Sequence, residues 1–482
     1  MPPSPAFRPS AIHAGLGDDF FDPVHAATFP SLTLRHRDQR WAARVGLDGL
    51  TDAEWVQHFG AFEPLPDSLP QPLALRYHGH QFRSYNPDLG DGRGFLFAQL
   101  HDAVDGRLLD LGTKGSGRTP WSRGGDGKLT LKGGVREVLA TSMLEALGVY
   151  TSKSFSLVET GEALQRGDEP SPTRSAVLVR LNHSHIRIGS FQRQTYLEQP
   201  DNILRLLDHS IRHYLPDTWR DDPADRAAAF LAGVTARVAR LGAQWMAAGF
   251  VHGVLNTDNI NVTGESFDYG PWRFLPIYDP EFTAAYFDHS GLYAYGQQPD
   301  TLLWNLVRLA ECLLPLSDKV RLEAALQQFA PLFSTALDAA VLRRLGVAPQ
   351  GAEPDAALAR AWWGFLDASR MGFEQAFFDW HGNQPERAAR SPEADAYAGP
   401  GFAPVRRALA GYAPTPDARL DHPYFAGTRP CTMLIEDMEA VWTLIAEADD
   451  WSAFQGKLNA IRVMADAYGT IAETARSTVE MA

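Results

Sequence analysis

A chain of 482 residues with 45% hydrophobic content, 12 Trp and 26 Phe has enough apolar mass for two or three units with buried cores. A formal charge of −14 argues against a nucleic-acid or membrane surface as the main partner but leaves room for a local basic pocket, and two cysteines, Cys312 and Cys431, are too few for a disulfide framework and lack CxxC spacing. The opening "MPPSPAFRPSAIHAG" has no basic stretch leading into an apolar one, and no apolar run approaches the roughly 18 residues that span a bilayer, so a soluble, cytoplasmic protein is expected.

No repeat recurs at periods of about 20 to 50 residues. Four parts follow one another. Residues 1–75 are punctuated by Pro and Asp and read as an N-terminal extension. Residues 76–200 are strand-rich with one embedded helix. Residues 201–400 turn helical, with "LRLLDHSIRHYL", "DRAAAFLAGVTARVARLGAQWMAAG" and "DTLLWNLVRLAECLLPL" all spaced near 3.6. "GNQPERAARSPEADAYAGPG" reads as a surface connection to a helical C-terminal extension over 401–482.

Within the strand-rich part, "NPDLGDGRGFLFAQL" places Gly90, Gly92 and Gly94 just before an apolar strand, without forming GxGxxG. "RLLDLGTKG" reads as a strand ending in Lys114, and "GGVREVLATSMLEALG" as a helix whose apolar side runs through Val135, Val138, Leu139, Met143 and Ala146, with Glu137 off that stripe. The stretch 112–136 holds six Lys or Arg against one Asp, and eight glycines, a composition suited to an anionic ligand or to a solvated linker. "GGDGKLT" is not a Walker A motif, because Leu129 stands where the metal-binding hydroxyl belongs. A glycine loop, then a strand lysine, then a helix glutamate matches the order of the protein-kinase nucleotide grip.

In the helical part, "FVHGVLNTDNINV" and "ESFDYGPWRF" supply His252, Gly253, Asn259 and Asp268 in the order of a kinase catalytic loop and metal motif. Val254 occupies the place of the catalytic aspartate and can neither accept nor orient a proton, which leaves Asp258 as the nearest replacement. Asp279 in "IYDPE" competes with Asp268 for the metal role. "HGH" at His78 and His80 and "HSH" at His183 and His185 could suggest a metal, but alternate strand residues share a face by pleating alone.

"YHGHQF", "NPDLGDGRG", "LGTKGSGRTPWSRGGDGKLTLKGGVREVL", "VLVRLNHSHIRIGSF", "HGVLNTDNINV" and "DYGP" closely resemble the selenoprotein O family over about residues 70–310. The resemblance implies an α+β, bilobal protein-kinase-like fold, with a β-rich N-lobe and an α-rich C-lobe flanked by terminal extensions. It also implies transfer of AMP from ATP to Ser, Thr or Tyr hydroxyls of acceptor proteins, the chain itself among them. In the family the nucleotide lies flipped relative to kinases. The match then implies phosphate contacts from Lys114, Arg180 and Arg187, with Glu137 orienting Lys114. Gly90, Gly92 and Arg93 match the glycine-rich contacts, Asp126 and Gly127 a second nucleotide-contacting turn, Asn259 and Asp268 ligands for Mg²⁺ (or Mn²⁺), and Asp258 the base. Arg180 and Arg187 are seven apart, so the strand must bend around Asn182 to His185 if both are to face one ligand. A kinase with a displaced base and a non-catalytic ATP-binding scaffold are the competing readings. Many family members carry a selenocysteine or cysteine near the end; this chain closes "ETARSTVEMA", so no terminal redox switch is expected. Cys312 sits in an apolar helix and reads as a buried thiol, with pairing to Cys431 left open.

Overall fold

The computed structural model describes residues 4–167 and 169–470, so the closing "ETARSTVEMA" lies outside the described residues. In chain order the strands are β1 (Pro9–Ser10), β2 (Phe21–Pro23), β3 (Thr33–Arg37), β4 (Leu73–Leu75), β5 (Gly79–Gln81), β6 (Ser84–Asn86), β7 (Leu96–His101), β8 (Leu108–Lys114), β9 (Leu129–Thr130), β10 (Lys153–Leu164), β11 (Thr173–Asn182), β12 (Phe250–Val251) and β13 (Arg273–Phe274). Nine of them form one antiparallel sheet in the order β2-β4-β7-β8-β11-β10-β3, with β1 added to β7 and β9 to β11. β5 and β6 make a separate hairpin.

The first 75 residues are not set apart from the sheet. They contribute β1, β2 and β3, and helices α1 (Gln39–Arg44) and α2 (Asp52–Phe59) cover its outer face. These strands are two, three and five residues long, too short to show a period of two in the sequence. The outer core joins Trp41, Trp55 and Phe59 to Phe97, Val177 and Val179 of the sheet. Trp55 is fully buried between the rings of Phe59 and Phe155, at 4.6 and 4.9 Å, and its indole N–H donates to Ser156 Oγ at 2.9 Å.

The inner face packs on α3 (Leu131–Ala146), where Leu157 and Leu178 of the sheet meet Val135, Val138, Leu139 and Met143. Thr130 caps that helix by accepting the Gly133 N–H at 3.1 Å. Then follow α4 (Ile188–Tyr196), α5 (Pro200–Tyr214), α6 (Pro223–Ala247) and α7 (Gln298–Leu313), the last three on the segments whose periodicity predicts them. α6 starts where Pro223 follows Asp222, whose carboxylate accepts the N–H groups of Ala224 and Asp225 at 3.0 and 2.9 Å.

Helices between residues 329 and 409, from Val341 onward, enclose a second core around Trp362, Phe365, Phe377 and Phe402. The stretch expected to be a surface connection belongs to it: Ser391 and Tyr397 are buried and donate to the Asp379 carboxylate at 2.5 and 2.7 Å. Its three prolines, Glu386 and Arg390 face solvent, while Arg387, Ala388 and Tyr397 are buried, so composition alone misreads it. The helices Ile435–Ala448 and Ser452–Ala467 return to pack on α3 through Met438, Val441, Phe454 and Ile461, and Lys132 of α3 pairs with Glu439 at 2.7 Å. Among the described residues no helix is long and apolar enough to cross a membrane.

If the N-terminal stretch is part of the sheet's core, Trp55→Ala should remove about 3–5 kcal/mol from the stability of the whole cooperative unit. Urea unfolding followed by far-UV circular dichroism should then shift as a single transition; loss of local signal with an unmoved main transition would show an appended unit instead.

Candidate active site

β8 ends on Lys114 and pairs with β11 so that Lys114 faces Leu178 and Gly112 faces Arg180. Residues two apart on a strand share a face, which makes Lys114 and Arg180 diagonal neighbours on the inner side of the sheet. There Lys114 Nζ meets Glu137 Oε1 at 2.5 Å and Asp268 Oδ1 at 2.8 Å, and Arg180 Nη1 reaches the same Asp268 oxygen at 3.2 Å. Glu137 is only 1% exposed. Its place off the apolar stripe does not mean solvent, because α3 turns that edge toward the strand lysine. Burial alone would raise the Asp268 carboxyl, but Lys114, Arg180 and Arg93 hold it well below the usual carboxylate range. Asp268 also has φ +65, a left-handed conformation that Asp and Asn tolerate best among non-glycine residues.

β11 ends at Asn182, the backbone passes through Ser184 at φ 128, and Arg187 then caps α4, so the bend falls where two inward arginines require it. Arg187 is buried, lies over the rings of Tyr77 and Phe267 at 4.1 and 5.1 Å, donates to the Asp258 carbonyl at 3.2 Å and sits 3.7 Å from Asp91. Asp258 is buried with Oδ1 unpartnered, and burial pushes its carboxyl up to about 6 against the opposing pull of Arg187. Asn259 donates from Nδ2 to the Val254 carbonyl at 2.9 Å, which leaves its buried Oδ1 without a partner.

The glycine-rich stretch before β7 is closed by the chain itself. A Cβ on Gly90 would come 2.4 Å from Cγ of Trp121, whose indole N–H donates to Asp22 at 2.9 Å. Thr119 and Ser122 donate to the carbonyls of Asp91 and Gly92, both at 2.5 Å. Segment 117–127 is therefore folded over the first glycine loop, and Asp126 is held in it by Arg166 at 2.8 Å. Together these parts line a cleft of about 510 Å³, within the range of small-molecule sites. Gly90, Gly92, Arg93, Lys114, Asp126, Gly127, Arg180, Arg187, Asp258, Asn259 and Asp268 all line it, and Glu137 stands behind Lys114. Seven Lys or Arg against four Asp line this cleft in a chain of charge −14. Such a local reversal of sign suits a polyanion.

Asp279 does not line the cleft; it accepts the Glu281 N–H at 3.0 Å in its own turn. The four candidate histidines lie within 3.4 Å of other partners: His78 near Tyr85, His80 near Gln192, His183 near Tyr150 and His185 near Asp110. Among the described residues no group of three or more His, Cys, Asp or Glu could hold a metal ion. A cation in the cleft would draw on the free amide oxygen of Asn259 and the carboxylate of Asp268, with phosphate and water completing its shell, as suits Mg²⁺. Cys312 and Cys431 are free thiols.

Sequence reasoning missed Tyr77, Asp91, Trp121, Arg123 and Arg166, which also line the cleft. Tyr77 and Trp121 stand inside the quoted motifs, yet an aromatic there reads as core. Arg166, forty residues beyond Asp126 in a polar turn, carries no local signal.

The profile of the protein adenylyltransferase SelO family matches residues 7–396. Curated relatives called protein nucleotidyltransferase YdiU are similar to this chain. The one from Trichormus variabilis is 52% identical over 370 residues, covering 76% of this chain and 74% of the relative. That from Gloeobacter violaceus is 44% identical over 465 residues, covering 93% and 94%. That from Vibrio cholerae is 38% identical over 346 residues, covering 71% and 69%.

The contacts rank the lysines. Lys128 is engaged by Glu162 at 2.9 Å and Lys132 by Glu439 at 2.7 Å, whereas Lys114 points its ammonium into the cleft between two carboxylates. Lys114→Ala should weaken ATP binding by about tenfold or more, and Lys128→Ala and Lys132→Ala by about twofold or less. Titration calorimetry with ATP checks the ranking; equal losses would mark a diffuse basic patch.

Proposed function

The chain belongs to the SelO family of protein adenylyltransferases and is a nucleotidyltransferase; we propose that it moves AMP from ATP onto Ser, Thr or Tyr hydroxyls of proteins and releases pyrophosphate. The observation that carries this reading is the inner wall of the cleft, where Lys114, Arg180 and Arg187 are 5%, 7% and 3% exposed. Buried cations at that depth favour phosphates that stay, so the β- and γ-phosphates are held inward and the α-phosphorus faces Asp258. In this reading the sheet with α3 is the N-lobe of a kinase-like fold and the helices after α4 form its C-lobe.

Glu137 fixes the Lys114 ammonium. Gly90, Gly92 and Arg93 support the phosphates from the first loop, and Asp126 and Gly127 contact the nucleotide from the folded-over segment, with Arg166 holding Asp126. Asp258 accepts or orients the proton of the incoming hydroxyl, a role that its buried, unpartnered Oδ1 suits and Val254 cannot fill. The acceptor oxygen bonds to the α-phosphorus, the bond from that phosphorus to the bridging oxygen breaks, and pyrophosphate leaves. Mg²⁺ or Mn²⁺ on Asn259 and Asp268 supplies, when bound, charge neutralisation on the phosphate oxygens. Two free thiols fit a reducing, cytoplasmic setting.

The position of label decides between this reading and its rivals. With Mg²⁺ and ATP labelled on the α-phosphate, the chain or an added protein should gain label that a phosphodiesterase releases as AMP, while γ-label stays in solution as pyrophosphate. Asp258→Ala should reduce the signal by about a hundredfold or more. Transfer of γ-label alone would establish a kinase with a displaced base; binding of ATP with neither transfer would establish a scaffold.

Asp268→Asn keeps a side chain that tolerates φ +65 and removes the charge. It should abolish transfer, whereas Asp279→Asn should leave it within about twofold. The opposite ranking would move the metal role to Asp279.

A further inference from the structure

The hairpin β5–β6 is not used by the nucleotide reading, yet it runs beside the loop that carries Asp258. A Cβ on Gly79 would lie 2.9 Å from Asp258 Oδ1, so only glycine lets the strand pass that carboxylate. The His80 N–H donates to Thr257 Oγ1 at 2.7 Å. The Phe82 N–H faces Asn256 Oδ1 at 3.2 Å and the Tyr293 hydroxyl at 3.1 Å, and that hydroxyl donates to Asn256 Oδ1 at 2.7 Å. Toward α4, Gln192 Nε2 donates to His80 Nδ1 at 2.7 Å and Tyr85 stacks on Tyr196 at 5.4 Å.

The two-residue tip is Phe82 and Arg83, with φ +48 and +62. Asn-Gly or Asp-Gly is the usual occupant of a turn with both central residues left-handed. A phenylalanine and an arginine kept in it at a conformational cost point to use of their side chains. Phe82 is 37% exposed and lies beside Phe287, 43% exposed, which in turn lies beside Tyr286, 79% exposed; the ring separations are 5.8 and 5.1 Å. Arg83 is exposed, rests 5.7 Å over the Trp304 ring and forms no ion pair among the described residues. The next residue inward, Gln81, lines the cleft together with Asp258. A chain seated on the tip therefore enters the cleft at the carboxylate.

We propose that Phe82 and Arg83, with Tyr286 and Phe287, form the surface on which the acceptor polypeptide docks, and that it takes a segment carrying a bulky apolar side chain and an acidic side chain close to the modified hydroxyl. The inference rests on the transfer reading above. The aromatic rim buries the apolar side chain, and Arg83, unpaired in a chain that otherwise repels acidic segments, selects the charge.

Positional-scanning peptide libraries with a central Ser, Thr or Tyr, incubated with Mg²⁺, α-labelled ATP and the full chain, test it. The unaltered chain should favour libraries with an aromatic or leucine and with Asp or Glu near the hydroxyl. Arg83→Glu should replace the acidic preference with a basic one, and Phe287→Ala should flatten the apolar preference. Either should raise KM for the favoured peptide by about five- to tenfold without changing the affinity for ATP. Arg83→Gly relaxes the turn, so the unfolding temperature should hold or rise while the acidic preference is lost, which separates docking from folding. An unaltered preference in Arg83→Glu, or no preference or a basic one in the unaltered chain, overturns docking at this rim while the label in peptide upholds transfer. Absence of label from every library and from the chain itself overturns the transfer reading and this inference with it.

Discussion

Everything in the cleft is referred to one buried contact, the ammonium of Lys114 between Glu137 and Asp268. It joins the last residue of β8, the middle of α3 and the segment after the 252–259 loop, three parts far apart in sequence. Removing the ammonium would leave Glu137, only 1% exposed, as a charge without its hydrogen-bonded partner, a penalty of about 3–5 kcal/mol for a buried pair. The sheet, α3 and the helical part are thereby held in one relation, and the cleft exists only where they meet. The surplus of positive charge that makes an acidic protein receptive to a polyphosphate belongs to the cleft as a whole, where seven Lys or Arg stand against four Asp.

The two aspartates show how the same side chain is given different chemistry. Asp268 faces three cations that hold its carboxyl well below the usual carboxylate range, as the cation anchor proposed for it would require. Asp258, ten residues earlier, is buried against Gly79, and desolvation outweighs the pull of Arg187, Arg123 and a backbone hydrogen bond, so its carboxyl rises to about 6, nearer the range in which a carboxylate exchanges protons with a hydroxyl. Desolvation governs one and charge the other.

Much of the site was legible because its residues sit in compact motifs on regular elements. Lys114 ends a strand whose apolar run announces it, Glu137 lies on a helix with a clear stripe, and Asp258 and Asn259 stand together. What sequence reading missed has physical causes. Strands of two to five residues carry no period, so the N-terminal stretch read as an appendage although it completes the sheet. Helical spacing alone puts Glu137 off the apolar stripe and cannot show what a neighbouring strand offers to a charge; the order of motifs pairs it with Lys114, and the structure brings the two together. The glycines at 90, 92 and 94 read as a turn before a strand, and nothing local tells that the space above Gly90 is filled by Trp121. Histidines spaced like ligands turned out to hold the hairpin and the strand ends in place.

The helices at the far end of the chain bear on how fixed this grip is. α3 is covered by the sheet on one side and on the other by Met438, Val441, Ile445, Phe454 and Ile461 from Ile435–Ala448 and Ser452–Ala467. Each such side chain is worth about 1.5–3 kcal/mol when fully buried. Swinging α3 away to part Glu137 from Lys114 would expose several of them at once and also break Lys132 from Glu439. The cost approaches the whole stability of a typical domain, about 5–15 kcal/mol. Arg174 and Arg35 reinforce the arrangement from the sheet edge by pairing with Asp449 at 2.7 and 3.2 Å between the two helices. The lysine–glutamate pair is thus formed by folding rather than by ligand, and under the proposed transfer the folded-over segment at 117–127 and the exposed rim at 82–83 are the parts that a nucleotide and an acceptor would meet first.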